Sequence, residues 1–245
     1  MKVAAIVGAV ALCMFVVERF APGRRFPAVR GWWLRAIALN GAQIGSVYLA
    51  GVAWDGFMLR HRPWSLDAVG PIAGGVIGYL VITFIYYWWH RARHEVDWLW
   101  RVFHQVHHSP QRIEIITSFY KHPFELVANG LLSSAILYLL VGLSAEAATL
   151  AVLLSGLAEL VYHWNVRTPY WLGFIIQRPE SHCVHHQEDH HRQNFADLPL
   201  WDMLFGTFHN PKQWELTCGF GEREHELATM LACRDVFASK ERDRA

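Results

Sequence analysis

The chain has 245 residues, of which 53% are hydrophobic and only 18% charged, so it is more apolar than a typical soluble domain. Its formal net charge is +1 and it has no long basic run, so we expect no nucleic-acid partner. The four cysteines show no CxxC spacing, which argues against a disulfide framework and against a thiolate zinc site. The composition therefore favours a membrane protein.

Long uncharged runs predict an all-α integral membrane bundle of four to five transmembrane helices. The first run, 3–17, has 15 residues. We favour a retained span over a signal-peptide core, because no clear small-x-small cleavage site follows it. The next runs cover 36–54, 68–89 and 126–145, and the last covers 147–158 and continues through LVYHW. These four approach or reach the roughly 20 residues that a helix needs to cross a bilayer.

The positions of arginine and lysine predict how the bundle is oriented. The loop after the first run carries five arginines, and the stretch after the third carries four arginines and Lys121. The loop between the second and third runs has only Arg60 and Arg62. We therefore expect the arginine-rich loops to be cytoplasmic and the amino terminus to lie outside. All the clustered histidines then fall on the cytoplasmic face.

The chain is polar after the last span, and its signals there are short. Pro179 suits the first turn of a helix that would carry the histidines of PESHCVHH. The segment LPLWDMLFGTFHNP is amphipathic and is interrupted by Gly206, so we expect it to lie at the membrane interface. The tail over 222–245 is charged, and we expect it to be helical in part.

Fifteen histidines are the main anomaly of the composition, and eight of them lie in three short motifs. Residues three or four apart share one face of a helix. The motifs HRARH, HQVHH and HCVHH therefore align His90 with His94, His104 with His107 and His108, and His182 with His185 and His186. Neutral imidazole binds zinc, copper, iron and nickel well. One metal rarely takes more than about six ligands, so eight convergent histidines imply two metal ions, or one with redundant ligands.

Further candidates stand next to the predicted spans. His122 precedes the fourth span and His163 ends the fifth, so both are candidate ligands; the alternative is a histidine that caps a helix end. Glu159 lies one helical turn before His163 within an apolar span, where it needs a partner. We expect Glu159 to orient a ligand histidine or, less favoured, to bind metal itself. His190 and His191 are expected to lie behind the ligands, and His61, His209 and His225 to be ordinary surface or interfacial residues.

These motifs together resemble one known family. The order HxxxH, HxxHH, HPxE, HxN and HxxHH, followed by NF and WDxLFGT, is similar to the fatty acid hydroxylase superfamily, also called the sterol desaturase family. The resemblance covers about residues 80–210. It implies a membrane enzyme with a non-haem di-iron centre on the cytosolic side, which hydroxylates or desaturates a lipid C–H bond with dioxygen. Zinc is a possible substitute for the two iron ions in a purified sample.

The resemblance also implies roles for particular residues. The implied metal ligands, which are also the only implied catalytic groups, are His90, His94, His104, His107, His108, His122, His163, His182, His185 and His186. Asn165, Asn194 and Asp202 match polar positions around the ligands, and Asn194 and the Trp201-Asp202 pair are expected to fix the last histidine motif. Two positions depart from the family pattern. Ala196 replaces a common glycine, and Arg167 stands where some members have a further histidine, which leaves one ligand in doubt.

The resemblance suggests three parts of the chain. These are N-terminal transmembrane helices and loops over 1–66, a fatty acid hydroxylase/sterol desaturase catalytic domain over 67–210 and a cytosolic tail over 211–245. The substrate is expected to be a lipid in the bilayer. No GxGxxG nucleotide motif and no distinct haem domain is evident in the sequence, so electrons are expected from a separate cytochrome b5-like protein, ferredoxin or reductase.

Two other functional classes stay open at this point. A membrane metal transporter or metal-binding protein would also gather histidines, although transport sites usually lie near the bilayer midplane within broken helices. A zinc-dependent membrane hydrolase would need a catalytic glutamate, which HxxHH lacks, although Glu180 and Glu188 lie nearby in the sequence. The sequence leaves the substrate open among sterols, fatty acids, sphingoid bases, carotenoids and ether lipids.

Overall fold

The computed structural model describes residues 2–190 and 192–237, so the prediction for His191 lies outside the described residues. Within these ranges the regular structure is helical, apart from one isolated bridge between Gln187 and Cys218, which confirms the all-α fold. The helices are α1 (Lys2–Phe20), α2 (Trp32–Arg60), α3 (Gly70–Glu95), α4 (97–108), α5 (Pro123–Leu140), α6 (Ala145–His163), α7 (Pro179–His185), α8 (Pro199–Phe205) and α9 (Leu227–Leu231).

Four helices are long and apolar enough to cross a membrane. They are α2, α3 with the 3₁₀ turn that precedes it (together Asp67–Glu95), α5 and α6. They match the four longer uncharged runs, so the prediction of a multi-span membrane protein is confirmed. The run over 3–17 lies within the helix α1, and its placement in the membrane stays a prediction.

The structure corrects two of the predicted boundaries. The run over 126–145 was expected to be one span, but α5 ends at Leu140 and the chain turns at Gly142, which has a positive φ of 77°. Ser144 then caps α6, because its hydroxyl accepts a hydrogen bond from the Ala147 N–H at 3.2 Å. The run over 68–89 continues as a helix to Glu95, because charged residues after the apolar run do not break the helix. The first histidine motif therefore lies on the last two turns of α3.

The helices α3 and α6 pack closely through small residues. A Cβ atom at Gly74 would lie 3.1 Å from the Cβ of Ala147, and one at Gly78 would lie 3.1 Å from the Cβ of Ala151 and 2.6 Å from Leu143 Cδ1. Both pairs are 73 positions apart in the chain, and so are His90 and His163. The two helices therefore run in the same direction with one register, and both end at the histidines.

The chain after α1 is fastened to the same end of the bundle. Glu18 is fully buried, and its Oε2 accepts hydrogen bonds from the backbone N–H groups of Ile115 at 2.8 Å and Asn165 at 2.7 Å. A Cβ atom at Gly23 would lie 2.5 Å from the carbonyl carbon of Val166, so only glycine permits this approach. This contact places the segment after α1 against the end of α6.

A cap of short helices and loops covers the histidine end of the bundle. Its core contains Trp32, Val106, Tyr120, Phe220 and Met230, so residues from both ends of the chain pack together there. The amphipathic helix α8 ends at Gly206, which has a positive φ of 75°, and exposes several large apolar side chains. That exposure agrees with a helix at the membrane interface, a placement that stays a prediction. Within the tail, a 3₁₀ turn (Gly221–His225) and α9 are helical, and residues 238–245 lie outside the described ranges.

Candidate metal centre

Nine of the ten histidines expected as ligands lie together in two adjacent groups. In each group one ring nitrogen from every histidine lies within 4.8 Å of all the others. The five-histidine group consists of His90, His94, His104, His108 and His185. The four-histidine group consists of His107, His163, His182 and His186. The two groups share a boundary, at which the His108 and His186 rings stack with centroids 4.2 Å apart.

Each HxxHH motif is divided between the two groups. In the first motif, His104 and His108 enter the five-histidine group and His107 enters the other. In the second motif the division is reversed: His185 enters the five-histidine group, and His182 and His186 enter the four-histidine group. Residues four apart are closest in direction around a helix, and the third histidine points to one side of them. One HxxHH motif can therefore serve two neighbouring sites.

Neighbouring polar groups fix the rings of the five-histidine group. His90 donates from Nδ1 to the carbonyl oxygen of Phe195 at 2.6 Å, and His185 donates from Nδ1 to that of Gln193 at 2.8 Å. His104 Nδ1 lies 3.2 Å from Glu125 Oε1 and 3.1 Å from Arg93 Nη1, and these two side chains form an ion pair with each other. A hydrogen bond at Nδ1 fixes the tautomer and turns the lone pair of Nε2 toward a metal site. The carbonyls and Glu125 therefore prepare this group for ligation.

The four-histidine group brings several ring nitrogens to within about 3 Å of one another. His182 Nε2 lies 3.1 Å from His163 Nε2 and 3.0 Å from His186 Nε2. His163 and His107 donate from Nδ1 to the carbonyl oxygens of Glu159 at 2.9 Å and Tyr120 at 3.3 Å, which leaves their Nε2 atoms as acceptors. Two nitrogens bound at right angles to one ion, each at about 2.1 Å, are about 3.0 Å apart. The observed spacing therefore fits one divalent metal ion.

Buried atoms in the five-histidine group give a second test of the fit. The Nε2 atoms of His90 and His104 are buried and have no hydrogen-bond partner within 2–190 and 192–237. Buried polar atoms are nearly always satisfied, and an unsatisfied acceptor costs about 1–3 kcal/mol. A metal ion bound among the five histidines would satisfy both atoms. The donor set is therefore suited to a metal in each group.

The electrostatic environment keeps the histidines of the cap neutral. Burial, followed by the positive charge of Arg93, holds the pKa of His104 well below its usual range. Burial and neighbouring histidines likewise lower the pKa of His107, His108 and His182. Only the neutral imidazole has a lone pair to give a metal, so this environment keeps the ligands in their binding form near neutral pH.

Asn194 and Asp202 hold the loop that follows the second HxxHH motif. Asn194 donates from Nδ2 to the carbonyl oxygens of Ser181 and His209, both at 2.8 Å, and adopts a positive φ of 58°. The Asp202 carboxylate accepts from the backbone N–H groups of Phe195 at 2.8 Å and Ala196 at 2.9 Å. Since the Phe195 carbonyl receives the His90 hydrogen bond, Asp202 positions that histidine through the loop. Burial raises the pKa of Asp202 to about 6.

A cavity of about 240 Å³ leads from the histidines into the bundle. His90, His104, His107 and His182 line its inner end. Its walls come from α2, α3, α5 and α6, the four helices that could span a membrane. A ligand in this cavity therefore reaches both histidine groups from the apolar part of the bundle.

Comparison with known proteins identifies the family. The model of the family described as fatty acid hydroxylase matches residues 75–207, which is more than half of the chain and includes all nine grouped histidines. The chain belongs to the fatty acid hydroxylase family. No solved structure matches it.

Several curated proteins are similar to this fatty acid hydroxylase family member. Human alkylglycerol monooxygenase is 29% identical over 163 residues, which are 63% of this chain and 34% of that protein. A cholesterol 25-hydroxylase-like protein of Danio rerio is 30% identical over 62% of this chain and 60% of its own length. The ornithine lipid hydroxylase OlsE of Rhizobium tropici is 35% identical over 56% of this chain and 42% of its length. The matches thus span between a third and three fifths of these relatives.

His122 is not placed with the other expected ligands of this family member. Its Nδ1 accepts a hydrogen bond from the Phe124 N–H at 3.0 Å, so it caps the first turn of α5. Its Nε2 lies 3.2 Å from the carbonyl oxygen of Leu231 and 3.9 Å from Cys233 Sγ. Both ring nitrogens are engaged at the helix end, so the structure does not bring His122 together with the other expected ligands. The helix-capping alternative describes this histidine.

Three residues expected behind the ligands, Glu159, Asn165 and His190, belong to neither group. The side chain of Glu159 pairs with Lys121, and it is the backbone carbonyl of Glu159 that orients His163. The side-chain amide of Asn165 exchanges two hydrogen bonds of 2.9 Å with the backbone of Arg24, so it fastens the segment after α1 instead of touching a histidine. His190 contacts Gln193 Oε1 at 3.0 Å and belongs to neither group.

Arg167, which stands where some family members have a further histidine, lies outside both histidine groups. This residue is exposed and donates from Nε to the Gly23 carbonyl at 3.3 Å, so it points away from both groups. His163 alone represents α6 in the four-histidine group. The substitution therefore agrees with the smaller size of that group.

Sequence reasoning missed several polar residues around the histidines. Arg93 and Glu125 form a buried ion pair beside His104, and Gln177 lies 2.9 Å from His182 Nδ1. The signals were present: Arg93 stands between His90 and His94, and Glu125 closes the HPFE motif at the start of an apolar span. An ionisable residue at such a position needs a partner, which points to a role near the site.

Proposed function

We propose that this protein is a membrane oxidoreductase that uses dioxygen and external electrons to hydroxylate a C–H bond of a lipid. Desaturation is the second outcome that the same site supports. The observation that supports the proposal is the pair of adjacent, mostly buried histidine groups, four of whose members line a cavity between the spans. Similarity to proteins named monooxygenase and hydroxylase supports the same reaction class.

We assign the two histidine groups to two iron ions, one in each group. Zinc has the same preference for imidazole and would occupy the groups in a purified sample that lacks iron. Bound iron would supply the redox chemistry that side chains lack, namely activation of dioxygen with electrons from a separate donor. That donor is a cytochrome b5-like protein, a ferredoxin or a reductase, on the cytoplasmic face that the arginine distribution predicts.

The residues of the chain bind and orient the substrate. Lipids partition into the bilayer, so a cavity between four spans admits a chain or ring system without passage through water. The carbonyls of Phe195, Glu159 and Tyr120 hold the histidine rings in one orientation. Fixed ligands and a narrow cavity limit oxidation to the carbon that lies at the inner end.

The two rival classes are less well supported. The histidines lie at the ends of α3 and α6, whereas transport sites usually lie near the midplane. The glutamates considered for a hydrolase are engaged elsewhere. Glu180 accepts from the N–H and hydroxyl of Thr168 at 3.0 and 2.7 Å, and Glu188 accepts from the Thr217 hydroxyl at 3.0 Å. Neither carboxylate is therefore available as a base beside the histidines.

Turnover under heavy-isotope dioxygen tests the proposal. The purified protein, reconstituted with ferrous iron in vesicles of the host-cell lipids and supplied with ferredoxin and its reductase, should add labelled hydroxyl groups to a lipid or form an alkene. Removal of oxygen should abolish the product. A His61→Ala variant serves as the matched control, because His61 is exposed and lies outside both groups. Product formation without oxygen would refute the oxygenase and favour the hydrolase.

A further inference from the structure

The end of the cavity remote from the histidines contains a carboxylate. Asp55 lines this end together with Ser134, and it lies within α2, five residues before that helix ends at Arg60. It directly follows the uncharged run 36–54, and an ionisable side chain at such a position in a helix that could span a membrane is a candidate for function. The Ser134 hydroxyl donates to Asp55 Oδ1 at 2.5 Å, and Trp54 donates from Nε1 to that hydroxyl at 3.1 Å. The carboxylate is therefore held in one orientation.

The second oxygen of this carboxylate has capacity for a hydrogen bond. Within residues 2–190 and 192–237, Asp55 forms no ion pair and its Oδ2 accepts no hydrogen bond. Arg62, the arginine two turns further along, pairs with Asp67 and donates to the carbonyls of Gly142 and Leu143. Asp55 is partly buried, and this oxygen, which has no cation from the described residues, can accept a hydrogen bond from a ligand in the cavity.

The backbone around Asp55 is adapted to this position. Residues Gly51–Asp55 form a π-helical turn within α2, and such turns inside α-helices are frequent at functional sites. Opposite this turn, a Cβ atom at Gly130 would lie 3.3 Å from Trp54 Cζ2, so glycine lets the indole lie against α5. The indole then reaches Ser134 one turn later on α5.

The length of α5 gives the distance between the two ends of the cavity. Glu125 contacts His104 at the inner end, and Ser134 contacts Asp55 at the far end. Nine residues separate them, which corresponds to about 14 Å along an α-helix. The lining in between is mixed: Ala50, Ile82 and Val152 are apolar, and Ser46 and Asn129 are polar. An elongated lipid thus fits with one end at Asp55 and a carbon about 14 Å away at the histidines.

We infer that Asp55, supported by Ser134, receives a hydroxyl or ammonium group at the end of the lipid substrate opposite to the oxidised carbon. The inference rests on the proposed function, because the histidine groups define which carbon reacts. It names the substrate class: a lipid with a hydrogen-bond donor, as opposed to a hydrocarbon or a fully esterified lipid. Asp55 is a specificity residue, since it contacts the substrate far from the reacting atoms.

Binding measurements test this assignment without requiring turnover. The probes are hexadecanol, cholesterol, the methyl ethers of both alcohols, and sphinganine, added to the full-length protein in nanodiscs and followed by ligand-induced thermal stabilisation. The wild-type protein should bind the preferred alcohol or sphinganine, and an alcohol that binds should do so roughly tenfold more tightly than its ether, since the ether cannot donate. Asp55→Leu should abolish this difference.

Conservative variants separate the two kinds of donor. Asp55→Asn keeps an acceptor oxygen but removes the charge, so it should retain alcohol binding and weaken binding of the sphinganine ammonium. Ser134→Ala should reduce discrimination less than Asp55→Leu, because it removes only the support of the carboxylate. Glu146→Gln is the matched control. It removes an exposed carboxylate that does not line the cavity and should bind every probe as the wild type does.

The outcomes distinguish this inference from the proposed function. Equal binding of alcohols and ethers, unchanged discrimination in Asp55→Leu, or failure of the wild type to bind any alcohol or sphinganine would overturn the role of Asp55. Such a result leaves oxygenase turnover of another lipid unaffected. Conversely, a protein that discriminates through Asp55 but never consumes oxygen would refute the oxygenase and keep the binding site.

Discussion

The two histidine groups differ in what holds their rings. The five-histidine group depends on a charged pair, Arg93 and Glu125, and on carbonyls of the loop after α7. In the four-histidine group, His163 and His107 are oriented by carbonyls of α6 and of the segment before α5, and the ring nitrogens lie about 3 Å apart. The first group is therefore held in part by a charged pair, whereas the second is held by uncharged groups, namely these carbonyls and the Gln177 side chain beside His182 Nδ1.

Removal of one ligand from each group gives the largest expected effect. His185→Ala and His107→Ala should each reduce turnover to background, because the reaction needs both sites, while each variant keeps the metal of the other group. Metal content by mass spectrometry, together with oxygen-dependent product formation, checks this. If either variant turned over at the wild-type rate, that histidine would be removed from the ligand set. The protein should still insert in the membrane, since neither ring contributes to the spans.

A change at Glu125 tests the proposed difference between the groups. Glu125→Gln weakens the acceptor at His104 Nδ1, and loss of such a partner typically lowers metal affinity by about 10–100-fold. We expect this loss at the five-histidine group only. Competition with a chelator measures the two affinities. Glu159→Gln is the control, because that carboxylate lines the same cavity but pairs with Lys121. An equal loss at both groups would contradict the comparison.

The smallest effect is expected at His122, which lies outside both groups. His122→Ala should keep both metals and most of the turnover, and should lower the free energy of unfolding by about 0.5–2 kcal/mol through loss of the helix cap. Thermal unfolding in detergent measures the change. His122→Asn supplies another capping side chain and should recover most of the stability. If His122→Ala lost one metal, the assignment of nine ligands would be wrong.

The spans and nine of the histidines could be predicted from the sequence because their signals are local. Apolar runs report spans directly, and spacings of three and four report a shared helical region. The direction of a side chain relative to other helices depends on tertiary packing, which neighbouring residues in the sequence do not reveal. His122 and His163 stand at equivalent places beside a span, yet one caps a helix and the other joins a group. Likewise, the sequence placed Glu159 correctly one turn before His163 but assigned the hydrogen bond to its side chain instead of its backbone.

The partition of the HxxHH motifs was also beyond sequence reasoning. The spacing indicated that the three imidazoles of a motif share one face of a helix. Whether they join one group or two depends on which histidines the neighbouring helices place opposite that face. The loop around Asn194 and Asp202 was placed correctly behind the last motif, because its polar residues follow that motif directly in the chain.

The glycines of α3 have a consequence for how substitutions act at a distance. Gly78 lies 12 residues before His90, about 18 Å along the helix, and a Cβ atom there would lie 3.1 Å from the Cβ of Ala151 on α6. A larger side chain there would push α3 and α6 apart. These two helices carry His90 and His163 near their C-terminal ends. We therefore expect a substitution that enlarges residue 78 to lower the metal content even when every histidine is kept. Measuring the metal content of a Gly78→Leu variant would test this effect.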